Sequence, residues 1–172
     1  MSTICFGIIE FNIDLDDTNM AYPLTRELVA KSLFHNYYLE LTNRVLDPMS
    51  RDILDRLQTS NMLEAKNIME FYLTDAPIAP DFGSGLQEFL ILQEQLGEIP
   101  YNSNFCKFFK ELWTNQMIQK IVIILGWDLS IYEQLELHRV KDINEMFQYV
   151  VTDYLKTQGE LNSVFVISKG VN

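Results

Sequence analysis

Apolar residues recur at every second position from Ile9 to Leu15, with Glu10, Asn12, Asp14 and Asp16 alternating against them. Such alternation marks a strand with one buried and one wet face. With the apolar ICFGII ahead of it, the pattern predicts a strand over residues 4–16, antiparallel or at an edge. Pro23 then suits the first turn of a helix. Leu28, Leu33, Phe34, Tyr37, Tyr38, Leu41 and Val45 carry that helix to about residue 46. Asp47-Pro48 breaks it and starts a second helix, with Met49, Ile53, Leu54 and Leu57 inward. A capping-box-like start at Asn61 to Glu64 opens a third, bearing Ala65, Ile68, Met69 and Tyr72. A fourth starts at residues 84–87 and ends at Gly97, and a fifth covers 104–115, with Phe105, Phe108, Phe109, Leu112 and Trp113 inward.

The last third changes character. KIVIILGW, residues 120–127, is a β-branched run that fits a buried strand, and EQLELHRV, 133–140, reads as a strand with a helix as the competing reading. Asp142 and Glu145 signal the start of an amphipathic helix with Ile143, Met146, Phe147, Val150, Val151, Tyr154 and Leu155 on one side. SVFVIS, 163–168, is a final strand. Strands and helices do not alternate regularly, which predicts an α+β domain spanning 1–172. Its small mixed or mainly antiparallel sheet holds strands near 4–16, 120–127, 133–140 and 163–168, packed with about six helices. The first and last strands are expected to be sheet neighbours.

The chain has 172 residues and a 48% hydrophobic fraction, enough for a full core. No apolar run reaches the roughly 18 to 20 residues of a membrane helix, and the start lacks a basic n-region, so no secretory signal is expected. Cys5 and Cys106 sit in apolar surroundings and read as buried thiols of a cytoplasmic protein. His35 and His138 are far apart, with no paired ligand spacing, so neither a metal nor another cofactor is expected.

Charge is the most informative bulk property. The net value is −11, and two segments without any Lys or Arg hold ten of the carboxylates. The first carries Glu10, Asp14, Asp16 and Asp17; the second, from 67 to 106, carries Glu70, Asp75, Asp81, Glu88, Glu94 and Glu98. Such surfaces repel nucleic acid and anionic membranes and attract a basic protein. These ten residues are the candidate partner contacts, with Tyr22, Phe82 and Tyr101 as aromatic anchors.

Residues 13–18, IDLDDT, spell a hydrophobic residue followed by D-x-D-x-T. This resembles the first motif of haloacid-dehalogenase-like phosphatases. The resemblance implies a central parallel strand, Asp14 as nucleophile, Asp16 as acid/base and Mg²⁺ between them. It also calls for a downstream acidic pair that the chain does not spell: Asp128 stands without a second acid, and KGVN after the last strand has none. In size, acidity and lack of a complete catalytic set, the chain resembles small bacterial toxin-immunity proteins, the contact-dependent growth-inhibition type above all. That resemblance implies a non-catalytic protein covering the active cleft of a basic toxin domain. A phosphatase and a general interaction adaptor are the alternatives.

Overall fold

The structure is a computed structural model describing residues 4–15, 21–35, 37–43, 67–75, 85–126, 136–156 and 162–169. Among these, six strands form one sheet: β1 (Ile4–Phe11), β2 (Tyr37–Asn43), β3 (Ile68–Asp75), β4 (Ile118–Gly126), β5 (Glu136–Val140) and β6 (Asn162–Ser168). Four helices accompany them: α1 (Ala21–Phe34), α2 (Gly85–Leu96), α3 (Asn104–Thr114) and α4 (Ile143–Lys156). The α+β class expected from the pattern is present, with four helices among the described residues rather than six.

The strand order is β2-β3-β1-β4-β6-β5. Every pairing is antiparallel except β5 with β6, which are parallel and joined through α4. The sheet is therefore an antiparallel body with one βαβ unit at its edge. The first and last strands are not neighbours, because β4 lies between β1 and β6.

Two helix expectations are corrected. Residues 37–43 form β2 and residues 68–75 form β3, where the spacing had predicted continuations of helices. Leu33, Tyr37 and Leu41 are four apart and satisfy a helical stripe. Tyr37 and Leu39 satisfy period two equally well, and both point into the core. The ladders to β3 decide between the two periods, since tertiary pairing overrides local preference. The described part of β3 is buried on both faces, so it offers no alternation to read. The helix expected over 49–57, the start at 61–64, and Trp127, Phe82, Asp16, Asp17 and Asp81 lie outside the described residues.

The remaining elements follow their local signals. Ser103 caps α3 by accepting from the Cys106 N–H. Asp142 accepts from the Glu145 N–H at 2.9 Å while the Glu145 carboxylate returns to the Lys141 N–H, opening α4. Gly97 takes φ 69° at the end of α2, the left-handed backbone that glycine adopts without steric cost.

All four helices pack on one face of the sheet. Leu28, Phe89, Phe109 and Phe147 meet Ile9, Phe71, Ile123 and Phe165 in the main core. Phe105 links the helices, with its ring 5.3 Å from Phe89, 4.9 Å from Phe109 and 6.0 Å from Phe147. The other face is buried as well: Phe6, Ile8, Val122, Ile124, Val164 and Val166 are at most 5% exposed. Phe6 stacks on Tyr72 across the β1–β3 pair. The wet outer face expected for β1 is thus absent, because β1 is a central strand buried on both sides. Gly7 is required there: a Cβ would lie 1.8 Å from the Val122 carbonyl oxygen.

Candidate functional site

Polar chemistry gathers at two places on the sheet. The first is the carboxyl end of β1. The strand stops at Phe11, and its pairing with β4 skips a residue there: Glu10 is opposite Lys120, while Phe11 is opposite Ile118. The extra residue is Gln119. A bulge of this kind re-aims a side chain, and Gln119 Nε2 donates to Glu10 Oε1. Glu10 Oε2 is buried without a hydrogen-bond partner among the described residues; Lys120 Nζ lies 3.8 Å from it.

Beyond the bulge is an open depression of about 330 Å³ lined by Asn12, Ile13, Asp14, Asn67 and Gln119. Its amides are oriented by the backbone around them. Asn12 Nδ2 donates to the Gln116 carbonyl at 2.7 Å, and Asn67 Nδ2 donates to the Phe11 carbonyl at 2.7 Å. Only the nitrogen of each amide can face a carbonyl, and only the nitrogen of Gln119 can face a carboxylate. The remaining polar capacity of all three side chains is therefore weighted toward carbonyl oxygen. Asp14, exposed, adds a carboxylate. Lys169, whose backbone N–H donates to Gln119 O, directs its ammonium elsewhere: Nζ donates to Asn115 O and lies 4.7 Å over the Trp113 ring. Burial lowers its pKa. The rim is an acceptor-rich surface suited to a cationic or multiply hydrogen-bonding donor group.

The ten carboxylates expected as partner contacts do not share one environment. Glu10 is half-buried and bonded to Gln119, while Asp14, Glu94 and Glu98 are exposed. Glu70 is buried at 3% exposure between β1 and β2, which corrects its place among surface contacts. Asp75 ends β3 and Glu88 belongs to α2. Of the expected anchors, Tyr22 and Tyr101 are exposed, and each ring already faces a cation of this chain: Arg26 at 5.6 Å and Lys110 at 4.5 Å.

For the D-x-D-x-T segment, the arrangement around it differs from what the phosphatase resemblance implies. β1 runs antiparallel to both neighbours, and Asp14 lies three residues past its end.

The second place is the corner of β5, α4 and β6. His138 is half-buried and 3.0 Å from Asp153 Oδ2 through Nε2. Ser163 Oγ donates to the same oxygen at 2.8 Å. The carboxylate thus sits between hydroxyl and imidazole, whereas nucleophile activation needs the imidazole between the other two. The arrangement fixes the imidazole and carboxylate without activating the serine. The other histidine contact, His35 Nε2 to Glu111 Oε2 at 2.6 Å, ties the end of α1 to α3. The two thiols are inert in this fold: burial pushes Cys5 up to about 12 and Cys106 up to about 11.

Neither a family model nor a curated protein nor a solved structure matches this chain.

Proposed function

We propose that this protein binds a basic protein partner without catalysing a reaction, as an immunity protein that covers the active cleft of a toxin domain. The observation that carries this reading is the acceptor-rich depression at the end of β1, set in a chain of net charge −11. An arginine or lysine side chain of the partner enters it and meets the Asn12, Asn67 and Gln119 amide oxygens beside Asp14. A guanidinium with five donors matches such a rim better than an ammonium. The exposed carboxylates Glu94 and Glu98 add long-range attraction that raises the rate of encounter. No described helix is long and apolar enough to cross a membrane, which accords with a partner met outside the bilayer.

The test is co-expression with the product of the neighbouring reading frame. Growth should be rescued, and the association rate of the purified pair should fall about tenfold between low and roughly 0.5 M salt. Absence of rescue and of binding would refute the reading. Hydrolysis of p-nitrophenyl phosphate with Mg²⁺, abolished by Asp14→Asn, would replace it with the phosphatase alternative.

A further inference from the structure

The corner of β5, α4 and β6 has no part in partner binding as proposed above, yet it brings three metal-capable side chains together. Period two places Glu136, His138 and Val140 on the face of β5 that α4 covers, and Val140 is buried in the core there. Asp153 follows Val150 by three residues on the buried side of α4 and is 6% exposed. One donor atom from each of Glu136, His138 and Asp153 lies within 4.8 Å of the others.

We propose that Glu136, His138 and Asp153 form a binding site for a first-row divalent transition ion such as Zn²⁺, Mn²⁺ or Ni²⁺. One imidazole with two carboxylates is a donor set for these ions, whereas Mg²⁺ and Ca²⁺ favour all-oxygen shells. The separation of His138 Nε2 and Asp153 Oδ2, 3.0 Å, already has the length of a ligand–ligand edge. Two donors about 2.1 Å from one ion are about 3.0 Å apart at the cis positions of an octahedron and about 3.4 Å apart in a tetrahedron. Glu136 is exposed and closes the remaining distance by rotating its side chain.

The surroundings hold the two inner donors in place. Ser163, opposite Glu136 in the β5–β6 register, orients the Asp153 carboxylate from outside the donor set. The His138 ring lies 5.2 Å from Phe165 at an interplanar angle of 20°, and 4.7 Å from Tyr149. Exposure increases from Asp153 through His138 to Glu136, so water completes the coordination from the open side. The ion takes the Nε2 lone pair. The proton Nε2 shares with Asp153 moves to Nδ1 or, from an imidazolium, to solvent.

The experiment is calorimetric titration of the full chain with Zn²⁺, Mn²⁺ and Ni²⁺ separately, with Mg²⁺ as comparator. One equivalent of at least one transition ion should bind, more tightly than Mg²⁺. Glu136→Gln should weaken that binding at least tenfold, and His138→Gln should abolish it. Glu136 is exposed, so its variant reports on the site without threatening the fold. Ser163→Ala should weaken binding about tenfold through orientation of Asp153. The chain has two histidines, so Zn²⁺ should move only the imidazole resonances missing from the His138→Gln spectrum. The proposal is overturned if none of the three ions binds saturably, if binding survives Glu136→Gln and His138→Gln unchanged, or if the His35 resonances move instead.

Discussion

Strand β1 has a hydrogen-bonded neighbour on each side and is buried on both faces; β5 has five residues, mostly exposed positions and, among the described residues, one neighbour. The two strands dispose of polar groups in opposite ways. In β1 the interior admits none, so Glu10, Asn12 and Asp14 gather where the strand ends and a bulge turns Gln119 toward them. In β5 the polar groups stand within the strand itself. Edge position leaves the corner open to water, and Asp153 on the covering helix supplies a partner. Position in the sheet, more than residue type, sets what a carboxylate can do.

The largest expected effect tests the central strand. Gly7→Ala places a Cβ against the Val122 carbonyl, so the β1–β4 ladder must part; a loss of about 3 kcal/mol or more is expected in denaturant unfolding. Arg139→Ala, exposed on β5, should stay within about 0.5 kcal/mol. If the two variants were equally mild, the contrast between centre and edge would collapse.

Next comes the polar corner. Asp153→Ala removes the acceptor of both His138 and Ser163 and should cost about 1 to 3 kcal/mol. Asp14→Asn, at the exposed end of β1, should leave thermal stability nearly unchanged. A harmless Asp153→Ala would mean that the network does not pin the edge.

Alkaline titration probes β1 through Cys5. Its thiol ionises near an ordinary 9.0 in the unfolded chain but near 12 when buried, so the unfolded state loses the proton first. Stability is therefore full below about pH 9 and declines from there toward 12. The contribution lost at pH 10 is about 1 kcal/mol. Cys5→Ala should make that limb shallower, leaving the part due to Cys106, and an unchanged pH profile in the variant would contradict the assignment. Smallest of all, Asp14→Asn should weaken binding of a hexa-arginine probe peptide about two- to threefold at low salt. Equal binding by both proteins would take Asp14 out of the interface.

Legibility in the sequence followed a different division. β4, β6, α3 and α4 were readable because each has an unambiguous period or cap: a β-branched run, the apolar stripe from Phe105 to Leu112, or the Asp142–Glu145 pair. β2 and β3 were not. Tyr37 and Leu41 fit both periods, and the described positions of β3, buried on both sides, show no polar alternation. The alternation from Ile9 to Leu15 was real but misled about exposure, because only its first part lies in the strand and the polar positions after Phe11 belong to a loop. Asp153 left one trace: an acid on the otherwise apolar side of an amphipathic helix. The facing histidine is 15 positions away.

By itself the sequence determined the α+β class, the local caps, the buried thiols and the segregation of negative charge. These depend on residues near one another in the chain or on simple sums over it. Tertiary structure decided that β1 is central, that Glu70 is buried, that Asn12, Asn67 and Gln119 rim one depression, and that Glu136, His138 and Asp153 meet. Each of these depends on register between distant strands or on a helix packed across them. Chain-local periodicity cannot encode such pairings, because the same pattern of side chains is compatible with several partners until burial selects one.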